Sequence, residues 1–363
     1  MLKWIVVLVN FNNYVRFKLK ALVLDAPNSI SLKNIKSPKL SDGHDMILQV
    51  KSAAICGTDI RIYRGKKTKD VRYPSILGHE FSGILVDAGS NTQFKAGDRV
   101  AMCPFFACEQ CAECLSGAEN LCSMGMAMGY ELDGAFAEYI RIPAAGVASG
   151  YVHHLPDSIS FNEAALLEPF SCVINGQKNI NLTSSDSVLV LGGGPIGQMH
   201  IKLAKIKGAK KIILSDPNEH RRRAAVTYGA DVTIDPSIKD IKEAVKQETA
   251  GRGADVVICA IGLPSLAEQS IALAAARGRV NLFAGFSHGD EAKLDVNDIH
   301  YREIFVSGAF GLSRNEFDEA FSLLKSGKLI LSDLVTHELS IEQGLEAFAL
   351  VESQQALKVI LSN

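Results

Sequence analysis

At 363 residues the chain is too long for one ordinary core, which points to two domains. With 47% apolar and 21% charged residues its composition is that of a soluble globular protein. Thirty-eight basic against forty acidic residues leave a net charge of -2, so there is no electrostatic footprint for nucleic acid or an anionic membrane.

The first apolar run, residues 4–9, is six residues long with no small-residue cleavage site behind it. That is too short for a membrane span or a signal peptide. Residues 1–17 read as an extra edge strand or an extension ahead of a domain that starts near Lys18. From there to about Pro156 the pattern is short strands with Gly and Pro punctuation. Residues 19–24, 47–54, 81–86 and 99–102 are apolar or alternating, separated by turns such as Ser41-Asp42-Gly43 and Ala96-Gly97-Asp98. The expectation is an irregular β barrel or sandwich, residues 18–170.

Two groups of reactive side chains lie in this part. Cys56-Gly57-Thr58-Asp59 is expected at the end of a strand, and Gly78-His79-Glu80 just before the strand 81–86. Further on, Cys108, Cys111, Cys114 and Cys122 fall within fifteen residues, in a lobe spanning 103–125. Four thiolates so spaced can wrap one tetrahedral ion, the closed shell of structural zinc. The interleaved polar residues speak against a core strand. The bacterial ferredoxin run ends in C-x3-C-P, whereas the last gap here is seven and Ser123 follows, so zinc is preferred to an iron–sulfur cluster. Such a cluster also argues for a reducing compartment, hence a cytoplasmic protein. Ser160 with Glu163 forms a capping box that opens a helix, and Glu168-Pro169 follows it. Singly, Cys56 reads as a core thiol, His79 as a turn residue and Glu168 as a surface acid. Together they offer an open metal site with three protein ligands and a free position.

The rhythm then changes. Strands at 187–191, 211–214, 231–234, 254–260 and 279–284 alternate with helical stretches, which means βαβ units and a parallel sheet over residues 171–307. Residues 308–363 add a helical stretch at 315–326 and short pieces ending in 357–361. Gly192-Gly193-Gly194-Pro195-Ile196-Gly197 satisfies G-x-G-x-x-G directly after a strand and at the start of a helix, the context a dinucleotide requires. Gly192 allows the tight turn, Gly194 the approach of a pyrophosphate, and Gly197 close helix–strand packing. Nineteen residues on, Asp216 is placed to bind the adenosine ribose and repel a 2′-phosphate, favouring NAD over NADP. Arg221, Arg222 and Arg223 read as a solvated helix face, with Arg221 a candidate for the adenosine end of the cofactor.

The chain resembles the zinc-containing medium-chain dehydrogenase/reductases, the alcohol dehydrogenase superfamily, and most of all their polyol (sorbitol-type) and threonine dehydrogenase branch. The matching residues are Ile55-Cys56-Gly57-Thr58-Asp59, Leu77-Gly78-His79-Glu80-Phe81, Ala96-Gly97-Asp98-Arg99-Val100, the four-cysteine lobe, Gly134 to Tyr139, Leu167-Glu168-Pro169 and the glycine loop. The resemblance implies a GroES-like β-rich catalytic domain built from both chain ends, around a Rossmann doubly wound parallel sheet. It implies two zinc ions per chain. Cys56, His79 and Glu168 would hold the catalytic one, with Glu80 a ligand or able to exchange with the zinc-bound water. Asp59 would orient His79. Relatives imply a tetramer or dimer.

The expected reaction is hydride transfer between NAD and a secondary alcohol of a polyol or sugar alcohol, with a small-molecule alcohol as substrate. The alternatives are oxidation of a 3-hydroxy amino acid such as threonine, and a non-catalytic protein on the same scaffold. Thr58 is expected to take the hydroxyl proton. Many relatives carry His five residues after the zinc cysteine, where this chain has Arg61, a permanently charged group that cannot shuttle protons in the same way. Either the relay ends in ribose and water or Arg61 binds substrate. With Arg64, Lys66, Lys67, Lys69 and Arg72 it marks a basic loop: a solvated face, or a surface that draws in a phosphorylated polyol. Cys103, Cys172 and Cys259 are expected to be buried small hydrophobes.

Overall fold

The strand Met46–Ala54 is buried almost throughout because it is flanked on both edges. A computed structural model of the chain describes residues 18–67, 71–287 and 289–363. The expectations for residues 1–17, and Lys69 of the basic loop, lie outside the described residues. One edge of Met46–Ala54 pairs antiparallel with Glu80–Asp87. The other is shared by Tyr139–Ile142 and, from the far end of the sequence, Lys358–Ser362. The sheet order is Val152–His154, Arg99–Met102, Glu80–Asp87, Met46–Ala54, Lys358–Ser362, Val335–Ser340. Both ends of the described chain therefore build one β-rich unit. In register, Ala54 lies opposite Glu80 on one side and Ile360 on the other. Three strands from distant parts of the sequence thus deliver their ends to one place.

The second unit is a six-stranded, wholly parallel sheet. Its order is Val232–Ile234, Lys211–Ser215, Ser187–Leu191, Ala254–Cys259, Ala274–Leu282, Phe305–Gly308. Helices cover both faces, so the strands read as unbroken apolar runs. Val188, Val190, Ile212 and Leu214 pack towards Ile201 and Ala204 of the helix Pro195–Ile206. Leu189, Leu191, Ile213 and Val257 face the opposite way, towards Val245 and Ile271. This alternation is the period-two geometry of a strand.

Several boundaries differ from expectation. Phe305–Gly308 extends the sheet beyond the strand expected to close it; as an edge strand it is only partly buried and carries a weak apolar signal. Ser29–Lys36 pairs with Lys18–Ala26, although only Ile30 is buried along it. Cys56 is not merely the end of a strand but the N-cap of a short helix, Gly57–Tyr63, so Thr58 and Arg61 are helical. Glu168 stands in the first turn of the helix Leu167–Asn179, not in a loop. Pro169 is compatible with that turn because N–H groups there have no intrahelical acceptor. The same helix crosses position 170, where the domain boundary was expected.

Candidate active site

Ligand atoms of Cys56, His79 and Glu80 all lie within 4.8 Å of one another. Cys56 caps its helix with help from Asp59, whose Oδ2 accepts the Cys56 N–H at 2.9 Å. The other oxygen, Oδ1, is 3.4 Å from Nδ1 of His79, both residues being buried. Asp59 therefore holds the cysteine backbone and sets its carboxylate beside the imidazole, close enough to orient it although the facing Oδ1 and Nδ1 make no hydrogen bond at this separation. Gly78, before the histidine, has φ +98°, and a Cβ there would meet the Phe136 ring at 2.7 Å. Only glycine fits both the left-handed backbone and the close approach. His79 and Glu80 are buried whereas Cys56 is partly exposed, so the cluster is open on the cysteine side.

The expected carboxylate ligand is Glu168, with Glu80 a further ligand or able to exchange with the zinc-bound water. Among the described residues it is Glu80 that joins the cysteine and the histidine. Both Glu80 oxygens also accept from Nζ of Lys358, Oε2 at 2.5 Å and Oε1 at 2.7 Å. Glu168 is half-buried beside the cluster. Burial pushes its carboxyl up to about 7, partly offset by His79 and reinforced by Glu80. Its Oε1 accepts from the Cys172 thiol at 3.6 Å. Cys172 is therefore not an inert packing thiol; it is half-buried and touches the site. Cys103 and Cys259 are buried. The Tyr130 ring lies 5.1 Å from the His79 ring, and the Lys67 ammonium sits 4.3 Å over its centroid. Thr58 follows Cys56 by two residues and is half-buried.

Sulfur, imidazole and carboxylate in one cluster suit zinc, and the second cluster does so independently. Sγ separations are 3.9 Å for Cys108–Cys114, 3.4 Å for Cys111–Cys114 and 3.8 Å for Cys111–Cys122. A tetrahedron with Zn–S bonds of about 2.3 Å has edges of about 3.8 Å. Both donor sets fit the metal.

The glycine loop joins Ser187–Leu191 to the helix Pro195–Ile206, with Gly194 as N-cap and Pro195 in the first turn. Ile196 packs its side chain against the main core. A Cβ on Gly197 would lie 1.8 Å from the Gly192 carbonyl oxygen, so helix and loop can approach only at glycine. Asp216 is buried, and its Oδ2 accepts the Gly193 N–H at 2.6 Å. Arg221 Nη1 is 3.8 Å from the same oxygen, while Nη2 donates to the Gln354 carbonyl. Neighbouring strands on opposite sides of Ser187–Leu191 lead to helices on opposite faces, the switch point where open α/β sheets bind ligands.

Arg61 joins the two units: its Nη2 donates to the Phe286 carbonyl at 3.0 Å, just past the strand Ala274–Leu282. Its buried Nε has no hydrogen-bond partner among the described residues. The rest of the basic loop is partly neutralised. Arg64 pairs with Glu352, and Arg72 with Asp133 at 2.7 Å. Phe106 packs on Tyr151, which is core packing. Arg302 binds carbonyls of the parallel-sheet unit and Asp298. Sequence reasoning passed over Tyr130 and Lys358. The signal for Lys358 was a single charge opening an otherwise apolar strand, Lys358–Ser362.

The profile of the family described as "Alcohol dehydrogenase GroES-like domain" matches residues 42–157, and that described as "Zinc-binding dehydrogenase" matches residues 195–326. A sorbitol dehydrogenase from Halalkalibacterium halodurans is 34% identical over 351 residues, covering 95% of this chain and 99% of the relative. An L-threonine 3-dehydrogenase from Bacillus licheniformis is 33% identical, covering 91% and 94%. Among solved structures, one described as a zinc-binding dehydrogenase from Sinorhizobium meliloti 1021, bound to NADP, superposes with a TM-score of 0.89. It shares 30% identity and covers 95% of this chain and 99% of that one.

Proposed function

The chain belongs to the zinc-containing alcohol dehydrogenase superfamily, an oxidoreductase family that uses zinc and NAD(P), and from that premise we propose that it oxidises a secondary alcohol of a polyol or sugar alcohol. The observation that carries this reading is the Cys56, His79 and Glu80 cluster on the unit that Arg61 ties to the nucleotide-binding sheet. When bound, zinc and NAD(P)⁺ supply the Lewis acid that acidifies the hydroxyl and the acceptor that takes the carbinol hydrogen as hydride, leaving a ketone. Cys56, His79 and Glu168 would hold the metal, with Glu80 able to exchange onto it, and the four-cysteine lobe would hold a second ion. Asp59 fixes the imidazole. Thr58 takes the hydroxyl proton and passes it to water. Arg61, always charged, carries no proton and instead braces the cleft through Phe286.

The preference for NAD rests on the buried Asp216, whose charge disfavours a 2′-phosphate. A cytoplasmic setting is supported by eight free thiols, four of them in one cluster. Among the described residues no helix is long and apolar enough to cross a membrane. A homo-oligomer, dimer or tetramer, is supported by the exposed Val296, Tyr301, Phe305 and Phe310 around the edge strand Phe305–Gly308. We read residues 18–170 and 308–363 as the catalytic domain around a nucleotide domain of 171–307, supported by the pairing of Lys358–Ser362 with Met46–Ala54.

A second reading, oxidation of a 3-hydroxy amino acid, is favoured by the similarity to the threonine dehydrogenase. Metal analysis and steady-state NAD⁺ reduction with sorbitol, xylitol, galactitol 1-phosphate and threonine separate the two. The expected result is two zinc ions per chain and the highest kcat/KM on a polyol. Higher kcat/KM on threonine replaces the first reading with the second, and no metal-dependent turnover on any of them removes both.

A further inference from the structure

We propose that Lys358 is a positioning residue of the metal centre: its ammonium competes with the bound cation for the Glu80 carboxylate and so keeps a coordination position open for substrate. This rests on the reading that Cys56, His79 and Glu80 face a common ion. Glu80 is 0% exposed and Lys358 3%, and one ammonium binds both carboxylate oxygens. The same carboxylate is nevertheless one of three ligand groups within 4.8 Å of each other. It has two suitors.

The strand register brings them together. Ala54 is opposite Glu80 on one neighbour and Ile360 on the other, and the Ile55 N–H donates to the Val359 carbonyl at 3.0 Å. Antiparallel pairing carried two residues further aligns Lys358 with Cys56. Val359, Ile360 and Leu361 are all buried apolar residues, so the strand needs no charge for packing. A buried ammonium in such a strand is retained only with its counter-ion. Glu80 is the chief acid facing it; Cys56 and Glu168 are the others.

A carboxylate whose two oxygens already accept from an ammonium is a weaker metal ligand than a free one, because its negative charge is shared. Without the ammonium, the buried Glu80 has one cation left to satisfy it, the metal. It then moves onto the ion and fills the place that a substrate hydroxyl would take.

Cobalt-substituted protein tests this without relying on turnover, because visible d–d bands report coordination. Lys358→Met should change the band positions and intensities and slow cobalt release to a chelator by roughly tenfold, the scale of outer-shell effects on metal affinity. Lys358→Arg should restore the wild-type spectrum, since a guanidinium also holds both oxygens of a carboxylate. Glu80→Gln, which keeps the lysine, should leave the spectrum close to wild type. An unchanged spectrum or faster release in Lys358→Met overturns the proposal. If Lys358→Met does not fold, Glu80→Gln decides: loss of the catalytic cobalt there shows a carboxylate already on the metal and also overturns it. Wild-type protein that binds no cobalt outside the cysteine lobe defeats the underlying metal assignment itself, a different and recognisable outcome.

Discussion

The Cys172 thiol donates to Glu168 Oε1 at 3.6 Å, across one turn of the helix Leu167–Asn179. Glu168 is half-buried, and this thiol is a hydrogen-bond partner of its carboxyl beside the cluster of Cys56, His79 and Glu80. Cys172→Ala removes the donor without adding bulk. Its kcat/KM should fall about fivefold, the weight of one modest hydrogen bond of roughly 1 kcal/mol, with metal content unchanged. Cys172→Ser, which keeps a donor, should retain most activity. Equal rates for wild type and Cys172→Ala dismiss this role.

Thr58 lies two residues past Cys56 on the same short helix and holds no position in the metal cluster. Thr58→Val should therefore bind zinc and NAD⁺ as the wild type does, yet lose a factor of about 10² or more in kcat, the lower range for a lost proton-transfer group. Metal analysis, cofactor titration and kcat are measured on one preparation. Near-normal turnover sends the proton by another route.

Asp216 has one oxygen on the Gly193 N–H at 2.6 Å and the other on the Asn218 N–H at 2.7 Å. Its charge is thus held at the mouth of the glycine loop, where a ribose would lie. Asp216→Ser should lower kcat/KM for NAD⁺ and raise it for NADP⁺, changing their ratio by about tenfold or more, on the scale of one charge-assisted hydrogen bond. Arg221, 3.8 Å from the same oxygen, is free of that carboxylate in the variant and favours the phosphate. A ratio that does not move shows selectivity to lie elsewhere.

The four-cysteine lobe is joined to the rest by Arg314, which pairs with Glu119 at 3.0 Å, and by Asn120, which donates to the Phe310 carbonyl at 2.7 Å. Cys111→Ser opens the sulfur shell and should release one zinc per chain while the other stays. Limited proteolysis should then cut within residues 108–122 faster than in wild type, because metal binding supplies the folding free energy of such a lobe. Loss of both ions together would mean the two sites are not independent.

Local patterns carried much of this site in the sequence. The run Val188-Leu189-Val190-Leu191 before a glycine triplet marked a buried parallel strand, and cysteine spacing marked the lobe. Pairings between distant segments were not legible. Lys358 is 278 residues from Glu80, and only the strand register brings them together. Tyr130 reaches His79 through a loop whose course no periodicity encodes. Helical placement of Glu168 was hidden by Pro169, which usually signals a break, and the edge strand Phe305–Gly308 by its weak burial. Arg61 stands out in the sequence as a departure from the expected histidine, but its reach to Phe286 depends on how two domains meet.

His200 is wholly buried in the helix Pro195–Ile206, edge-on to the Phe283 ring at 4.7 Å, with Gln177 Nε2 donating to its backbone oxygen at 2.9 Å. Burial pushes its imidazole down to about 3, with a smaller contribution from Lys207. The folded state thus keeps it neutral while the unfolded chain protonates near pH 6.5. Between those two values the unfolded state binds the extra proton, so stability falls as pH falls, by about 1.4 kcal/mol per unit from this group. Above pH 6.5 it contributes no slope. Urea unfolding of wild type and His200→Gln at pH 7.5 and 5.5 isolates the effect, with both pH values chosen roughly one unit either side of the unfolded pKa. The variant is expected to be less stable at the higher pH through lost packing, yet to lose about 1.4 kcal/mol less on acidification. An identical acid slope in both proteins would place the pH dependence in other groups, because the glutamine cannot titrate in this range.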